Sequence, residues 1–426
     1  MIRLVLAIAL GRLAGRLSRL LGRGGSAIPG LVAAKICPTV IDRLVANLPD
    51  GVVVVTGTNG KTTTTKLLVT ALEAAGTRVI TNPTGSNLER GVATVLIERA
   101  TMRGRSRGDI AVFEVDEAAL RTLAPRVRPR LVVVTNLARD QLDRYGELDT
   151  TAGHIASALL HAGSSLLNAD DPKVAALADG SSSFFGAVAD IRHLMPPDDA
   201  LYSNTGARDP SISPAVEVTT FDPLGDGGQV VGLATQTGSV TVRLAVPGVY
   251  NAYNAAAALG AAMALGVGAE AAAAAFEQMT PPFGRGQVIE FQGRRVVVLL
   301  VKNPSGLNQA VRLLGAVHPR SQVLIAINDE HADGRDVSWL WDARVEELAG
   351  TGHRFGASGT RAADMALRLK YAGIDAWHDA DLERAVERAV ADAGPGDTVY
   401  VVPTYTAMLR LLGTLLPGVP RHEVWA

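Results

Sequence analysis

The stretch Val52–Lys66, VVVVTGTNGKTTTTK, has the residue types of a phosphate-binding loop. Four valines predict a buried strand, and a glycine-rich turn then leads into a helix. Such a turn presents backbone N–H groups and the positive end of the helix dipole to phosphate oxygens, and Gly57 and Gly60 let the backbone approach them. The usual pattern, G-x-x-x-x-G-K-[ST], would have a glycine at Val55, so this loop is a shorter variant. The residues expected to contact phosphate are Gly57, Thr58, Asn59, Gly60, Lys61, Thr62 and Thr63.

Side chains of the loop and of a later strand predict that the phosphate ligand carries Mg²⁺. Lys61 would reach the β- and γ-phosphates, and Thr62 would hold the metal. Glu114 ends the apolar stretch IAVFEVDE, where a carboxylate at the carboxyl edge of the sheet would supply the hard oxygen that Mg²⁺ prefers. Asp116 and Glu117 are alternatives to Glu114.

A second polar segment, TNLARDQLDRYGE at 135–147, follows the next apolar stretch. Asn136, Asp140 and Asp143 would lie just past the carboxyl end of that strand, at the same edge of the sheet. An ordinary helix start at Asp140–Tyr145 is the alternative interpretation.

Apolar strands alternate with helices from residue 51 onward, which predicts an α/β fold with a doubly wound parallel sheet. The first helix is predicted at Thr62–Ala75. Residues 196–246 interrupt the alternation; a loop is predicted in their first half and antiparallel hairpins in their second, so that they form a small β insert. The predicted strands of the parallel sheet are Val52–Val55, Arg78–Thr81, Ile110–Val115, Leu131–Val134 and Ser165–Leu167.

A second α/β pattern begins near residue 288, after the stretch PPFGRG. We therefore predict an N-terminal helical arm (1–50), a central nucleotide-binding domain (51–286) and a C-terminal, Rossmann-like α/β domain (287–426). The elements predicted in the C-terminal domain are the strands Arg295–Val301, Val323–Ile327 and Thr398–Val402 and the helices Leu307–Leu314, Arg361–Tyr371 and Leu382–Asp392.

Composition limits the classes of function. The 426 residues carry a formal net charge of −1, which gives no electrostatic support for nucleic-acid binding. The single cysteine, Cys37, excludes an internal disulfide framework and is compatible with a reducing cytoplasm.

The first thirty residues predict an amphipathic helix. Its apolar run is too short to span a bilayer, and the arginines follow that run, which is the wrong order for a cleaved signal peptide. Two interpretations stay open: the helix packs on its own domain, or it contacts the inner face of the plasma membrane as a peripheral element. The arginines predicted to share one face are Arg12, Arg16, Arg19 and Arg23, and the leucines on another face are Leu13, Leu17, Leu20 and Leu21.

Three motifs together resemble the Mur ligase superfamily: TGTNGKT (56–62), TNLARDQLDRYG (135–146) and GVYNAYNAAAA (248–258). The resemblance implies ATP as the nucleotide and an acyl-phosphate formed on a substrate carboxylate. It also implies that Asn254 approaches the adenine and that Arg285 helps to hold the γ-phosphate.

Further motifs are similar to the MurT family within that superfamily: NPSGLNQ (303–309), INDEHADGRDVSWLWD (327–342), SGTRAADMALRLKYAG (358–373) and PTYTAML (403–409). The resemblance implies amidation of the α-carboxyl of D-glutamate in the lipid II stem peptide to D-isoglutamine. It implies a heterodimer with a GatD-type glutaminase, which supplies the ammonia. The alternative function is a Mur-type ligase that adds an amino acid to a peptidoglycan precursor.

The sequence departs from the resemblance at one point and differs from many Mur ligases at another. Many MurT proteins carry a zinc ribbon of four cysteines, whereas this chain has no cysteine after Cys37, so no zinc is expected. Gln141 stands where many Mur ligases have a histidine that helps to bind a second magnesium; MurT proteins share this change, and the second metal site stays open.

The resemblance also implies a residue that acts in the partner's active site. An aspartate of the segment DVSWLWD would complete the partner's Cys–His pair by orienting its histidine. Asp336 is the first candidate and Asp342 the second. A helix N-cap is a further role for Asp336, because it precedes VSWLWDARVEEL, which is predicted as a helix.

Overall fold

The described residues of the computed structural model fold around two β-sheets. These residues are 2–20, 27–82, 86–138, 147–192, 194, 208–224, 228–280, 284–317, 320–394 and 396–416. We call the part built on the nine-stranded sheet the first lobe and the part built on the six-stranded sheet the second lobe.

The first lobe contains parallel strands with helices on both faces. Its strands are β1 (Val52–Thr56), β2 (Val79–Thr81), β3 (Ile110–Glu114), β4 (Leu131–Val134), β5 (Ser165–Asn168), β6 (Ser182–Ala187), β7 (Val216–Pro223), β8 (Gln229–Thr235) and β9 (Gly238–Leu244). Its helices are α1 (Ile2–Leu20), α2 (Ile28–Ile36), α3 (Val40–Val45), α4 (Lys61–Ala74), α5 (Glu89–Glu98), α6 (Glu117–Val127), α7 (Glu147–Leu159), α8 (Pro172–Ala175), α9 (Ala189–Arg192), α10 (Val249–Ala264) and α11 (Ala269–Phe276).

Strand β1 lies inside the first sheet, in the order β2-β3-β1-β4-β5-β6-β7-β8-β9. Val53 and Val55 face the helices α4, α10 and α11, whereas Val52 and Val54 face the layer of α1 to α3 and α5 to α7. Both faces are covered, which explains why the strand is a run of valines rather than an alternating sequence. The predicted α/β fold with a parallel sheet is confirmed.

The predicted hairpins are present as β7, β8 and β9, which pair antiparallel. They are continuous with the main sheet, because β7 pairs in parallel with β6. The β insert therefore extends the nine-stranded sheet at one edge and does not form a sheet of its own.

The second lobe has the strand order β10-β11-β15-β12-β13-β14, with β10 antiparallel to β11 and the other pairs parallel. Its strands are β10 (Arg285–Phe291), β11 (Arg294–Leu299), β12 (Gln322–Ala326), β13 (Arg354–Ser358), β14 (Ala376–Asp379) and β15 (Thr398–Pro403). Its helices are α12 (Pro304–Ala316), α13 (Ala362–Tyr371), α14 (Leu382–Ala391) and α15 (Tyr405–Leu415), with short 3-10 helices at Ser338–Asp342 and Val345–Leu348. The continuous helix expected over VSWLWDARVEEL is thus wrong. Buried Trp339 and Leu340 anchor the first 3-10 turn, and the chain turns again at Ala343 to bury Val345 and Leu348.

The N-terminal helices pack on the first lobe. Leu4, Ala7 and Ile8 of α1 are buried in the same core as Val52 and Val54. Arg12, one of the arginines predicted to share a face, packs on the lobe: its guanidinium donates to the backbone carbonyls of Ile97, Glu98 and Ala100, at the end of α5. Leu20 and Arg19 lie at the end of α1 without a described side chain, and Leu21 and Arg23 lie outside the described residues. No helix in the described ranges is both long and apolar enough to cross a membrane.

Candidate active site

The loop between β1 and α4 has the backbone geometry of an anion cradle. Gly57 and Gly60 adopt φ values of +121° and +86°, which side chains rarely adopt. A methyl group at Gly57 would overlap Thr135 Oγ1, and one at Gly60 would overlap Asn254 Oδ1. Gly60 precedes the first residue of α4, so the unpaired N–H groups of that helix point into the loop.

Polar residues that follow β4 hold this loop in place. Asn136 accepts a hydrogen bond from the Asn59 N–H at 3.0 Å and donates to the Asn59 carbonyl, also at 3.0 Å. Thr135 Oγ1 donates to the same carbonyl at 2.7 Å. The predicted position of Asn136 at this edge is therefore confirmed, whereas Asp140, Asp143 and Gln141 lie outside the described residues.

Lys61 is buried at the start of α4. Its ammonium donates to the backbone carbonyls of Gly57 and Thr58 and lies 3.4 Å from Glu117 Oε1. The ammonium is thus held over the loop that a phosphate chain would occupy. Glu117, an alternative metal ligand in the sequence, instead pairs with this lysine.

Glu114 is buried at the carboxyl end of β3, beside Val55 of β1. Its backbone is fixed by Asn82, which accepts from the Glu114 N–H and donates to the Glu114 carbonyl, each at 2.9 Å. These bonds occupy the main chain and leave the carboxylate oxygens for another ligand. Asn82 is a residue that the sequence motifs did not reveal, because it lies outside all of them.

Arg285 reaches the same place from the start of β10. Its Nη2 donates to the Thr62 hydroxyl at 3.4 Å. Burial lowers the pKa of the Arg285 guanidinium, and the negative charge of Glu114 opposes that shift. The structure thus brings Thr62 and Glu114 together with Arg285, which the family resemblance implied for this site, although Arg285 belongs to a strand of the second lobe.

A cavity of about 150 Å³ adjoins the loop between the two lobes. Asn254 of α10 borders it and is buried, with its amide donating to Asn251 Oδ1 at 3.1 Å. The first lobe also contributes Asn59, Gly60 and Thr63, and the second contributes Val301, Ser305 and Gln309.

Asn303 connects the second lobe directly to the loop. Its Oδ1 accepts from the Gly306 N–H at 2.8 Å and caps α12, and its Nδ2 donates to Asn59 Oδ1 at 3.3 Å. Ser305, two residues further on, lies 3.2 Å from the Tyr250 hydroxyl of α10. The start of α12 therefore closes one side of the cavity. The Asn-Pro pair signals a helix cap in the sequence, but nothing in it reveals the contact with Asn59.

Two family models match the chain: "Mur ligase middle domain" over residues 55–262 and "MurT ligase C-terminal" over residues 300–408. The MurT subunit of the glutamine-hydrolysing lipid II isoglutaminyl synthase of Staphylococcus aureus strain N315 is 31% identical, over 96% of this chain and 97% of that protein. The subunit of the same name from Streptococcus pneumoniae is 32% identical, over 95% of this chain and 96% of that protein.

This chain belongs to the MurT family of Mur ligases. Its fold agrees: the MurF ligase of Thermotoga maritima in complex with ADP superposes with a TM-score of 0.68 at 15% identity, over 91% of this chain and 83% of that one. Members of the Mur ligase family are ATP-dependent ligases, so the chain is an enzyme of that class.

The residues present fit the nucleotide that a MurT protein requires. Two left-handed glycines open the cradle, and Asn59 Nδ2, at the border of the cavity, is a buried donor without a hydrogen-bond partner among the described residues. The described residues contain no cluster of three or more His, Cys, Asp or Glu side chains arranged for a metal. A Mg²⁺ that accompanies the nucleotide would need only one or two protein ligands, and Thr62 and Glu114 are the residues that would provide them.

The MurT segment DVSWLWD lies at a different place, on the surface of the second lobe. Asp336 is partly exposed, and its Oδ1 accepts from the Ser338 N–H at 2.8 Å and the Ser338 hydroxyl at 2.6 Å. It therefore fixes the turn that leads into the first 3-10 helix. Asp342 is exposed, and Trp341 beside it is 50% exposed and packs edge-on against Tyr371.

Asp333 in the neighbouring MurT segment is buried. Its carboxylate accepts hydrogen bonds from the Thr406 N–H, at 2.7 Å, and from the Thr406 hydroxyl. Thr406 belongs to the motif PTYTAML. The two MurT motifs therefore meet at the carboxyl edge of the second sheet. His331, in contrast, is exposed.

Proposed function

We propose that this chain is the synthetase subunit of a glutamine-hydrolysing lipid II isoglutaminyl synthase. It converts the α-carboxyl of D-glutamate in the lipid II stem peptide into the carboxamide of D-isoglutamine, at the expense of ATP. The observation that carries the proposal is the similarity to curated MurT subunits along both lobes.

The reaction needs two steps because a carboxylate has no leaving group better than oxide. In the first step, a carboxylate oxygen attacks the γ-phosphorus of ATP, the bond to the β-phosphate oxygen breaks, and ADP leaves. In the second step, ammonia attacks the acyl carbon, and the bond to the phosphate breaks with its electron pair. The phosphate ion leaves, and the proton lost by nitrogen passes to solvent base.

The residues around the loop have separate roles in the first step. Lys61 leaves the carbonyls of Gly57 and Thr58 to donate to the phosphates, and Arg285 donates to the γ-phosphate oxygens. This positioning and charge neutralisation is the main source of catalysis in phosphoryl transfer. Asn254 approaches the adenine in the cavity beside the loop. Mg²⁺, held by Thr62 and Glu114, would supply further neutralisation of the phosphate charge.

The ammonia comes from a glutaminase of the GatD type in a heterodimer. Free ammonia is mostly protonated in neutral water, so a docked glutaminase that delivers it unprotonated serves the second step. Cys37, the one cysteine of this chain, is buried, which does not suit a glutaminase nucleophile. We assign Asp336 the role of orienting the histidine of the partner's Cys–His pair, with Asp342 as the second candidate. Its partial exposure on the surface of the second lobe supports this role.

The reaction takes place in the cytoplasm, at the inner face of the plasma membrane. Its nucleotide is cytoplasmic, and the proposed acceptor is a lipid-linked precursor, which brings the enzyme to the membrane.

The test combines complex formation with chemistry. The chain is co-expressed with a candidate glutaminase from the same genome and incubated with ATP, Mg²⁺, glutamine and lipid II. Mass spectrometry then follows the exchange of OH for NH₂ in the stem peptide. We expect product with wild type, none with Lys61→Ala, and full activity with Arg43→Ala, which changes an exposed basic residue of α3.

Two results would refute the proposal. Incorporation of a free amino acid in place of ammonia would make the chain an amino-acid-adding Mur ligase. Nucleotide binding without any phosphoryl transfer, in the presence of the partner and of lipid II, would make it a binding subunit only.

A further inference from the structure

Helix α1 carries a stripe of exposed apolar side chains along its length. The stripe consists of Ile2, Leu6, Leu10, Leu13 and Leu17, whose exposed fractions lie between 44% and 78%. The spacing of three or four residues places them on one face of the helix, over about 22 Å. A contiguous apolar surface of this kind marks a contact with another body.

Packing on the first lobe does not require this stripe. The opposite face of α1 makes the packing contacts through Leu4, Ala7 and Ile8, which are at most 7% exposed. Gly11 and Gly15 bring that face close to its neighbours: a methyl group at Gly11 would lie 2.6 Å from Ile97 Cδ1, and one at Gly15 would lie 2.8 Å from Pro29 Cγ. The helix is therefore fully docked while its leucines stay exposed.

Basic residues flank the stripe and lie beside the start of α1, and Glu98 at the end of α5 is a nearby acidic residue. Arg3 and Arg16 are exposed and flank the stripe on its two sides, given 100° of rotation per residue. The loop that follows α5, RATMRGRSR at 99–107, packs beside the start of α1, because a methyl group at Gly104 would overlap Leu4 Cδ2. Neither 2–20 nor 99–107 contains an acidic residue. The arginines of the loop are Arg99, Arg103, Arg105 and Arg107, and all four are exposed.

The direction of α1 relates the stripe to the candidate active site. Leu4 lies near the loop that follows α5, and Gly11 lies near the last turn of α5. Further along α1, Gly15 approaches Pro29. Gly30, next to Pro29, contacts the first half of α5, and the Gly30 N–H donates to Thr94 Oγ1. The helix thus runs antiparallel to α5, whose start lies near Glu114, because the Asp116 N–H donates to the Asn87 carbonyl just before α5.

We propose that the exposed face of α1, together with the arginines beside it, lies on an anionic lipid bilayer. An apolar stripe between basic residues is the pattern of a helix that rests in the headgroup region, with its leucines among the acyl chains and its arginines at the phosphates. Charge complementarity favours this occupant over a second copy of the same face, because two such surfaces would bring their arginines together. The choice also rests on the proposed function, whose acceptor is anchored in a membrane.

Sedimentation with vesicles tests the proposal. The full chain is mixed with vesicles of phosphatidylcholine alone, or of phosphatidylcholine with phosphatidylglycerol, and the bound fraction gives a partition constant. We expect binding to the anionic vesicles that weakens with salt, and little binding to the neutral ones. Leu13→Gln/Leu17→Gln should lower the constant by at least about tenfold, and Arg3→Gln/Arg16→Gln by a similar factor.

The matched control is Leu160→Gln/Leu367→Gln, which removes two leucines that are 83% and 48% exposed outside the stripe. It should bind vesicles as wild type does. Thermal unfolding of each variant verifies the fold, and the arginine variant provides the test if the leucine variant does not fold. Equal partition constants for stripe and control variants, or no binding of wild type to anionic vesicles, would overturn the proposal.

Two parallel measurements separate the remaining outcomes. Size-exclusion chromatography with light scattering, with and without the glutaminase, detects a protein contact. If the leucine variant changes the assembly state but not vesicle binding, the stripe is a protein interface and the proposal is overturned. Amidation of detergent-solubilised lipid II needs no bilayer. Failure of that reaction, while vesicle binding persists, refutes the proposed function and leaves the membrane contact standing.

Discussion

The Arg285 guanidinium donates a hydrogen bond of 3.4 Å to the Thr62 hydroxyl, across 223 residues of chain. Arg285 begins the first strand of the second lobe, and Thr62 lies in the first turn of the helix that follows the phosphate loop. The proposed magnesium would bind the same hydroxyl. We therefore expect Arg285 to move from Thr62 to the γ-phosphate when ATP and metal enter, which couples nucleotide binding to the junction between the lobes.

Arg285→Ala tests that coupling. Ammonia-dependent amidation should fall by about a hundredfold or more, because one charged donor to the transferred phosphoryl group is lost. The free energy of unfolding should also fall, because the buried Glu114 carboxylate loses the positive charge of Arg285 beside it. Steady-state kinetics and thermal unfolding measure the two quantities. Arg43→Ala, an exposed arginine of α3, is the control, and unchanged kinetics in Arg285→Ala would remove this residue from the site.

Gly60→Ala should abolish nucleotide binding. The left-handed backbone costs a non-glycine residue about 1–2 kcal/mol, and the added methyl group would in addition overlap Asn254 Oδ1. Gly266→Ala has a similar φ of +93° but open space around the methyl position, so it should show only the strain. Isothermal titration with an ATP analogue distinguishes the two variants, and equal affinities would contradict a cradle at Gly60.

Asn303 has two roles that substitution can separate. Asn303→Ser keeps a hydroxyl acceptor for the cap of α12 but loses the donor to Asn59, whereas Asn303→Ala loses both. Both variants should raise KM for ATP by about two- to tenfold, the effect of one hydrogen bond. Only the alanine variant should lose about 1 kcal/mol of unfolding free energy.

Asp381→Ala is the control for the Asn303 variants, because Asp381 caps α14 with its side chain away from the loop motifs. It should reduce stability by a similar amount without changing KM. An unaltered KM in both Asn303 variants would show that the contact with Asn59 has no part in nucleotide binding.

Asp336→Asn should separate the two chemical activities. An asparagine Oδ1 still accepts from the Ser338 N–H and hydroxyl, so the turn and the stability should persist. Glutamine-dependent amidation by the heterodimer should fall by at least about a hundredfold, because an amide cannot stabilise the partner's imidazolium. Ammonia-dependent amidation should be unchanged.

The same two assays on Asp342→Asn identify which aspartate acts in the partner. Loss of glutamine-dependent activity in Asp342→Asn alone would transfer the role to Asp342. Loss of ammonia-dependent activity in Asp336→Asn would instead indicate an effect on the synthetase site itself.

The sequence alone determined the parts of the site that are local in the chain. The loop from Gly57 to Thr63 is contiguous, and its glycines, lysine and threonines specify a strand–turn–helix whatever lies around it. The position of Glu114 also followed from the sequence, because side chains at the carboxyl ends of neighbouring parallel strands meet at one edge. The family motifs in the second lobe could also be recognised from the sequence, although their contacts with each other could not be predicted from it.

Only the tertiary structure decided which distant residues complete the cavity. Asn303 contacts Asn59 of the loop, and Asn82 fixes the backbone of Glu114. Neither contact follows from the family motif and helix cap at Asn303 or from the strand end at Asn82. The helix expected after Asp336 became two 3-10 turns because buried Trp339 and Val345 must both reach the core of the second lobe. For α1, the periodic sequence established two faces, but only packing decided which one is buried: glycines allow close approach on one side, which leaves the leucine stripe exposed on the other.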